Sequence, residues 1–152
     1  MTNKVCLVIG AGDATGGAVA KRFAREGFAV CATRRTVEKI EPLIASIRSD
    51  GGVAYGFGSD ARDEDQVVSL IADIEDNIGP IEVLVFNVGA NSPCSILSET
   101  TRRYTKMWEM ACLAGFLNAR EVAKRMVTRL ADAPTQQTGT PHRGSIIFTG
   151  AT

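Results

Sequence analysis

The chain lacks most of what would place it in a specialised class. Its 152 residues carry 17 basic and 17 acidic side chains, so the formal net charge is zero and no global field draws it to a polyanion or an anionic membrane. Neither nucleic acid nor a membrane surface is expected as a partner. The apolar run Val5 to Ile9 stops at Gly10 and meets Asp13, far short of a membrane span or a signal-peptide core. Cysteine is sparse: Cys6, Cys31, Cys94 and Cys112 lie too far apart for paired-cysteine metal ligation and are too few for a secreted disulfide scaffold. They are expected as reduced thiols in a cytoplasmic protein, with Cys6 and Cys31 acting as small hydrophobes inside apolar runs. No metal site, internal repeat or low-complexity tract is evident.

What is present suits one globular domain over residues 1–152. The chain is 45% hydrophobic and 22% charged, enough for a single core but not for two. Its 15 glycines exceed the typical share of about 7% without any collagen-like period, so some are needed at particular backbone positions.

Val5 to Ile9 is a continuous apolar run closed by Gly10, which fits a strand buried on both faces of a parallel sheet. Phe28 to Thr33, Val53 to Gly58, Ile81 to Asn87 and Ser145 to Thr149 are the next strand candidates, separated by segments long enough for crossover helices. Between them run helical stripes: Val37, Ile40, Ile44 and Ile47, then Val67, Leu70, Ile71, Ile74 and Ile78. Thr36 and Asp63 are the expected caps, and Gly51 and Gly79 the expected stops. The longest predicted helix runs from about Glu99 to Leu130, with Tyr104, Met107, Trp108, Ala111, Ala114 and Leu117 along one side as core or subunit contact. Asp132 to Arg143 reads as an exposed loop. This alternation predicts an α/β, doubly wound parallel sheet in the order 3-2-1-4-5, with ligands at the carboxyl ends of strands one and four.

The run Gly10, Ala11, Gly12, Asp13, Ala14, Thr15, Gly16, Gly17 lies between the first strand and a helix from about Thr15 to Glu26. Glycines there permit a tight turn and let backbone approach a pyrophosphate, whose charge meets the free N–H groups of the helix's first turn. At the end of strand two stand Arg34 and Arg35. An acid at that place binds free ribose hydroxyls, whereas a guanidinium forks charge-assisted hydrogen bonds to a 2′-phosphate, each worth roughly 1.5 to 3 kcal/mol. NADP is therefore expected over NAD; the plainer reading of the pair is a solvated basic surface. Asp13 and Glu38 lie near enough in sequence to weaken the preference.

These features resemble the short-chain dehydrogenase/reductase family over the whole chain. Its TGxxxGxG motif falls on Ile9 to Gly16, with Ala14 at the middle glycine. Asp60 and Ala61 fall where the family places an aspartate near adenine, and Asn87 and Gly89 fall in its NNAG signature. The resemblance implies a Rossmann-type cofactor-binding domain, hydride transfer between a nicotinamide and a carbonyl or alcohol of a small-molecule substrate, and homo-oligomers pairing through the helix at Glu99 to Leu130.

The family's catalytic tetrad is Asn, Ser, Tyr and Lys. Cys112 falls at the Asn position, where it is expected as a buried helix thiol, and Ala151 at the Ser position. A one-residue slip brings Gly150 or Thr152 there, and Thr152 offers a hydroxyl. The Tyr-x-x-x-Lys is expected beyond Thr152; Tyr55 and Tyr104 are followed four residues on by Ser59 and Trp108. His142, in the loop before strand five, is not a replacement. The chain is thus expected to be truncated after strand five, marginally stable and inactive alone. The alternatives are a nucleotide-binding protein without redox turnover and, disfavoured by Arg34, a methyltransferase-like domain.

Overall fold

The structure, a computed structural model, describes residues 4–90, 93–131 and 144–150. Five parallel strands, β1 (Val5–Ile9), β2 (Ala29–Arg34), β3 (Val53–Gly58), β4 (Ile81–Phe86) and β5 (Ser145–Phe148), form one sheet in the order β3-β2-β1-β4-β5. The predicted topology is the observed one. β1 is central and all five of its residues are buried, which explains its unbroken apolar run. Val8, for example, lies between Ala32 of β2 and Val85 of β4.

Helices α1 (Thr15–Arg25), α2 (Glu41–Ser49), α3 (Glu64–Asn77) and α5 (Ala114–Ala131) cover the two faces. Side chains alternate across β1: Val5, Leu7 and Ile9 pack with Val67, Ile71 and Ile74 of α3 and Val122 of α5, whereas Cys6 and Val8 pack with Ala20 of α1 and Ile44 and Ile47 of α2. Each fully buried aliphatic side chain contributes roughly 1.5–3 kcal/mol. Cys6 and Cys31 belong to this core, and burial pushes both thiols up to about 12. All four cysteines are free.

Asp63 caps α3 by accepting a hydrogen bond from the Gln66 N–H at 3.1 Å, and Gly51 and Gly79 follow α2 and α3 with φ of 83° and 153°. Two expectations need correction. Thr36 makes no cap; a 3₁₀ turn at Val37–Lys39 intervenes, and α2 begins at Glu41, with Pro42 suited by its fixed φ to the first turn. The predicted long helix is α4 (Thr101–Trp108), a π-helical turn at Glu109–Leu113, and α5. The π turn shifts the helical period, so the anticipated stripe divides. Ala114 and Leu117 are buried against the sheet, while α4 buries nothing and leaves Tyr104 62% and Trp108 46% exposed. The loop at 132–143, His142 included, lies outside the described residues.

Candidate functional site

At the carboxyl end of β1 the chain turns sharply at Gly10, whose φ is 82°. The N–H groups of Gly10 and Ala11 both donate to the Thr33 carbonyl at 3.1 Å, tying the turn to β2. Three glycines serve close packing. A Cβ on Gly10 would lie 2.9 Å from the Asn87 carbonyl oxygen, one on Gly16 would lie 2.5 Å from the Gly10 carbonyl oxygen, and one on Gly17 would collide with the Gly12 carbonyl. Gly12 differs: a Cβ there would meet only Arg34 Nη2, at 3.9 Å. Its outer side is open.

Ala14 occupies the N-cap of α1 and offers no side-chain cap, so the first-turn N–H groups, including those of Thr15 and Gly16, are left to an external acceptor. Thr15 and Asp13 are exposed, and Gly16 is buried beneath the turn.

Asn87 staples the neighbouring strands. Its N–H donates to the Ile9 carbonyl at 2.8 Å, its Nδ2 donates to the Gly10 carbonyl at 3.0 Å, and its Oδ1 accepts from Thr149 Oγ1 at 2.7 Å. Thr149, just after β5, was not anticipated as part of this region; its hydroxyl after an apolar strand is the signal that could have found it. Gly89 has open space where a Cβ would stand.

The opposite wall is cationic. Arg34 donates through Nη1 to the Lys39 carbonyl at 3.2 Å and lies 3.9 Å from the Asp13 carboxylate, which is 97% exposed. Arg35 is exposed beside it. Asp60 is held by Arg62: Oδ1 accepts from Nε at 3.0 Å and from the Arg62 backbone N–H at 3.1 Å, and Oδ2 accepts from Nη2 at 2.6 Å. These bonds, with the charge of Arg35 adding, hold the Asp60 carboxyl below the usual carboxylate range against the opposing effect of burial. Ala61 is buried, and its carbonyl accepts from Asn118 Nδ2 at 3.1 Å. Asn118, fully buried on α5, also donates to the Ala114 carbonyl at 2.8 Å, which leaves Oδ1 without a hydrogen-bond partner. Sequence reading missed Asn118 and Arg62; a lone amide on the buried face of α5 was the available signal for the first.

These pieces enclose a crevice of about 240 Å³ at the carboxyl ends of β1, β2 and β4. It brings together the predicted residues Gly10, Gly12, Arg34, Arg35, Asp60, Ala61, Asn87 and Gly89, and adds Ser59, Arg62 and Met110. Asp13 and Ala14 line an adjoining hollow between α1 and α2. Cys112 requires correction: it is exposed on the π turn, where the helix has not yet reached the sheet, and Met110 is the residue of that turn that lines the crevice. Ala151 and Thr152 lie outside the described residues. Among the described residues, no helix is long and apolar enough to cross a membrane, and no group of three or more His, Cys, Asp or Glu side chains is placed to hold a metal.

Comparison with known proteins agrees with this geometry. A family model described as short chain dehydrogenase matches residues 4–152. The 2,3-dihydro-2,3-dihydroxybenzoate dehydrogenase of Bacillus subtilis (strain 168) is 30% identical over 126 residues, covering 83% of this chain and 48% of that protein. A crystal structure of a short-chain dehydrogenase from Rhodopseudomonas palustris matches with a TM-score of 0.83 and 43% identity, covering 99% of this chain and 64% of the other. An actinorhodin polyketide ketoreductase variant crystallised with NADPH matches with a TM-score of 0.79 and 26% identity over 84% of this chain and 49% of its own. The chain spans about half the length of the curated relatives it matches. With its sheet order, its glycine turn and the family match over residues 4–152, the chain belongs to the short-chain dehydrogenase family.

Proposed function

We propose that this chain is the NADP(H)-binding part of an oxidoreductase that interconverts a carbonyl and an alcohol on a small-molecule substrate. The observation that carries the reading is that open space at Gly12 and the Arg34–Arg35 pair share one crevice, and that the uncapped N-terminus of α1 lines the hollow adjoining it. These residues fit a phosphorylated dinucleotide. Gly10, Gly12, Asp13, Ala14, Thr15 and Gly16 form the turn that accepts a pyrophosphate. Arg34 and Arg35 take the 2′-phosphate, Asp60 and Ala61 border the adenine, and Asn87 and Gly89 form the β4 side. Bound there, the coenzyme supplies hydride exchange at its nicotinamide.

The actinorhodin ketoreductase, which contains NADPH, supports the phosphorylated coenzyme as first choice, with NAD second. Dissociation constants for NADPH and NADH should differ tens-fold in the wild type, and Arg34→Asp should reduce that ratio by about tenfold or more. An unchanged ratio in a folded variant contradicts the assignment.

One observation favours a second reading, a nucleotide-binding protein without redox turnover. Cys112 stands where the family's Asn is expected, and its thiol does not supply the amide of that residue. NADPH binding without coenzyme oxidation across an aldehyde and ketone panel would support it; turnover would dismiss it.

We further propose a homo-oligomer that pairs through the helical face between Glu99 and Leu130, where Tyr104, Trp108 and Phe116 are exposed. Four free cysteines fit a reducing compartment, and we place the protein in the cytoplasm. Fractionation of the tagged chain with any other compartment would contradict that placement.

A further inference from the structure

We propose that Arg62 is a positioning residue of the crevice: by clamping Asp60 it leaves Arg35 free to meet a phosphate. The inference rests on the coenzyme reading above and deepens it, because it assigns phosphate selectivity to a residue that need not touch the phosphate.

Charges in the crevice compete for one another. Three guanidiniums, Arg34, Arg35 and Arg62, and one carboxylate, Asp60, line the crevice. Arg34 is already engaged, through the Lys39 carbonyl at 3.2 Å and, more loosely, Asp13 at 3.9 Å. Arg35 makes no hydrogen bond or ion pair among the described residues, yet its charge reaches Asp60. It is the crevice cation best able to accept a phosphate, and also the one most exposed to capture by the carboxylate.

Arg62 prevents that capture. Its Nε, Nη2 and backbone N–H occupy both oxygens of Asp60 at 2.6 to 3.1 Å, in the forked geometry that gives a guanidinium its strongest hold on a carboxylate. The pair is only about one-third exposed, so the interaction is less screened than a surface ion pair. The other acid whose field acts on Arg62 is Glu109, on the π turn. With the Arg62 side chain removed, Asp60 loses both guanidinium donors and keeps only the backbone N–H, while Arg35 remains within electrostatic reach. Pairing between those two would withdraw the cation from the phosphate and place a carboxylate where negative charge must bind.

A double-mutant cycle separates this from a direct or merely structural role. The readout is the ratio of dissociation constants for NADH and NADPH, in which any loss of adenine contact cancels because both coenzymes carry the same adenine. Arg62→Ala should lower the ratio by about tenfold, and Asp60→Asn in the same chain should restore most of it, since no carboxylate remains to capture Arg35. Arg62→Lys, which keeps a cation beside Asp60 and guards against misfolding of the alanine variant, should retain an intermediate ratio. Two results would overturn the inference: an Arg62→Ala variant with the wild-type ratio, or a lowered ratio that Asp60→Asn fails to restore. If the wild type shows no preference for NADPH, the coenzyme reading and this inference fail together. If Arg34→Asp abolishes a preference that Arg62→Ala leaves intact, this inference alone fails.

Discussion

A methyl group added at Gly16 would lie 2.5 Å from the Gly10 carbonyl oxygen and 2.8 Å from Asn87 Nδ2, whereas one added at Gly12 would have only Arg34 Nη2 near it, at 3.9 Å. The same substitution should therefore act on different properties at the two positions. Gly16→Ala forces backbone apart in a packed turn and should destabilise the fold by about 1–3 kcal/mol, read as a lower urea midpoint. Gly12→Ala should leave stability within about 0.5 kcal/mol of wild type and weaken NADPH binding, because its methyl enters the crevice. Equal losses of stability at both positions would contradict the division of labour. At this scale the glycine turn, Arg34, Arg35 and Asn87 were legible because each answers a local demand of backbone shape or charge. Arg62, Asn118 and Thr149 were not, since their partners are fixed by side-chain direction or lie far away in sequence.

Elements are locked together by polar groups as well as by apolar packing. Arg129 of α5 donates to both Glu75 oxygens at 2.6 Å and to the Ile81 carbonyl at 2.7 Å, and Glu75 of α3 also accepts from the Ile81 N–H at 2.8 Å. This network fastens α3, α5 and the start of β4 at the amino end of the sheet, opposite the crevice. The Glu75 side chain is 9% exposed, so Arg129→Ala leaves a nearly buried charge without its main partner and should cost about 2–4 kcal/mol, read by urea unfolding. NADPH binding by the fraction that remains folded should be unaltered. An unchanged midpoint would show that the network contributes nothing net. The elements themselves were largely readable, because a parallel sheet buries its strands completely and α3 carries both a cap and an apolar period. The long helix was misread for a physical reason: a π turn inserts one residue into the period without a proline or glycine to announce it.

Across the whole molecule, apolar surface is left where α4, the start of α5 and β5 meet solvent. Trp108 is 46% exposed, Phe116 55%, Ile147 43% and Phe148 55%. Covering such surface stabilises by roughly 25 cal/mol per Å², which is the force behind the proposed self-association. Sedimentation at tens of micromolar should give a mass of at least twice 16.2 kDa, and Trp108→Glu should lower it; a 16.2 kDa monomer would contradict the oligomer. Topology and crevice location were legible at this scale because right-handed β-α-β connections leave few arrangements and put the switch point between β1 and β4. The charge balance inside the crevice was not, because it depends on which arginine holds Asp60. The most direct test of the account is calorimetric titration of the folded chain with NADPH and with NADH. The account predicts saturable heat with NADPH and binding tens-fold weaker with NADH. No heat with either coenzyme, from protein whose circular dichroism shows the α/β fold intact, would contradict it.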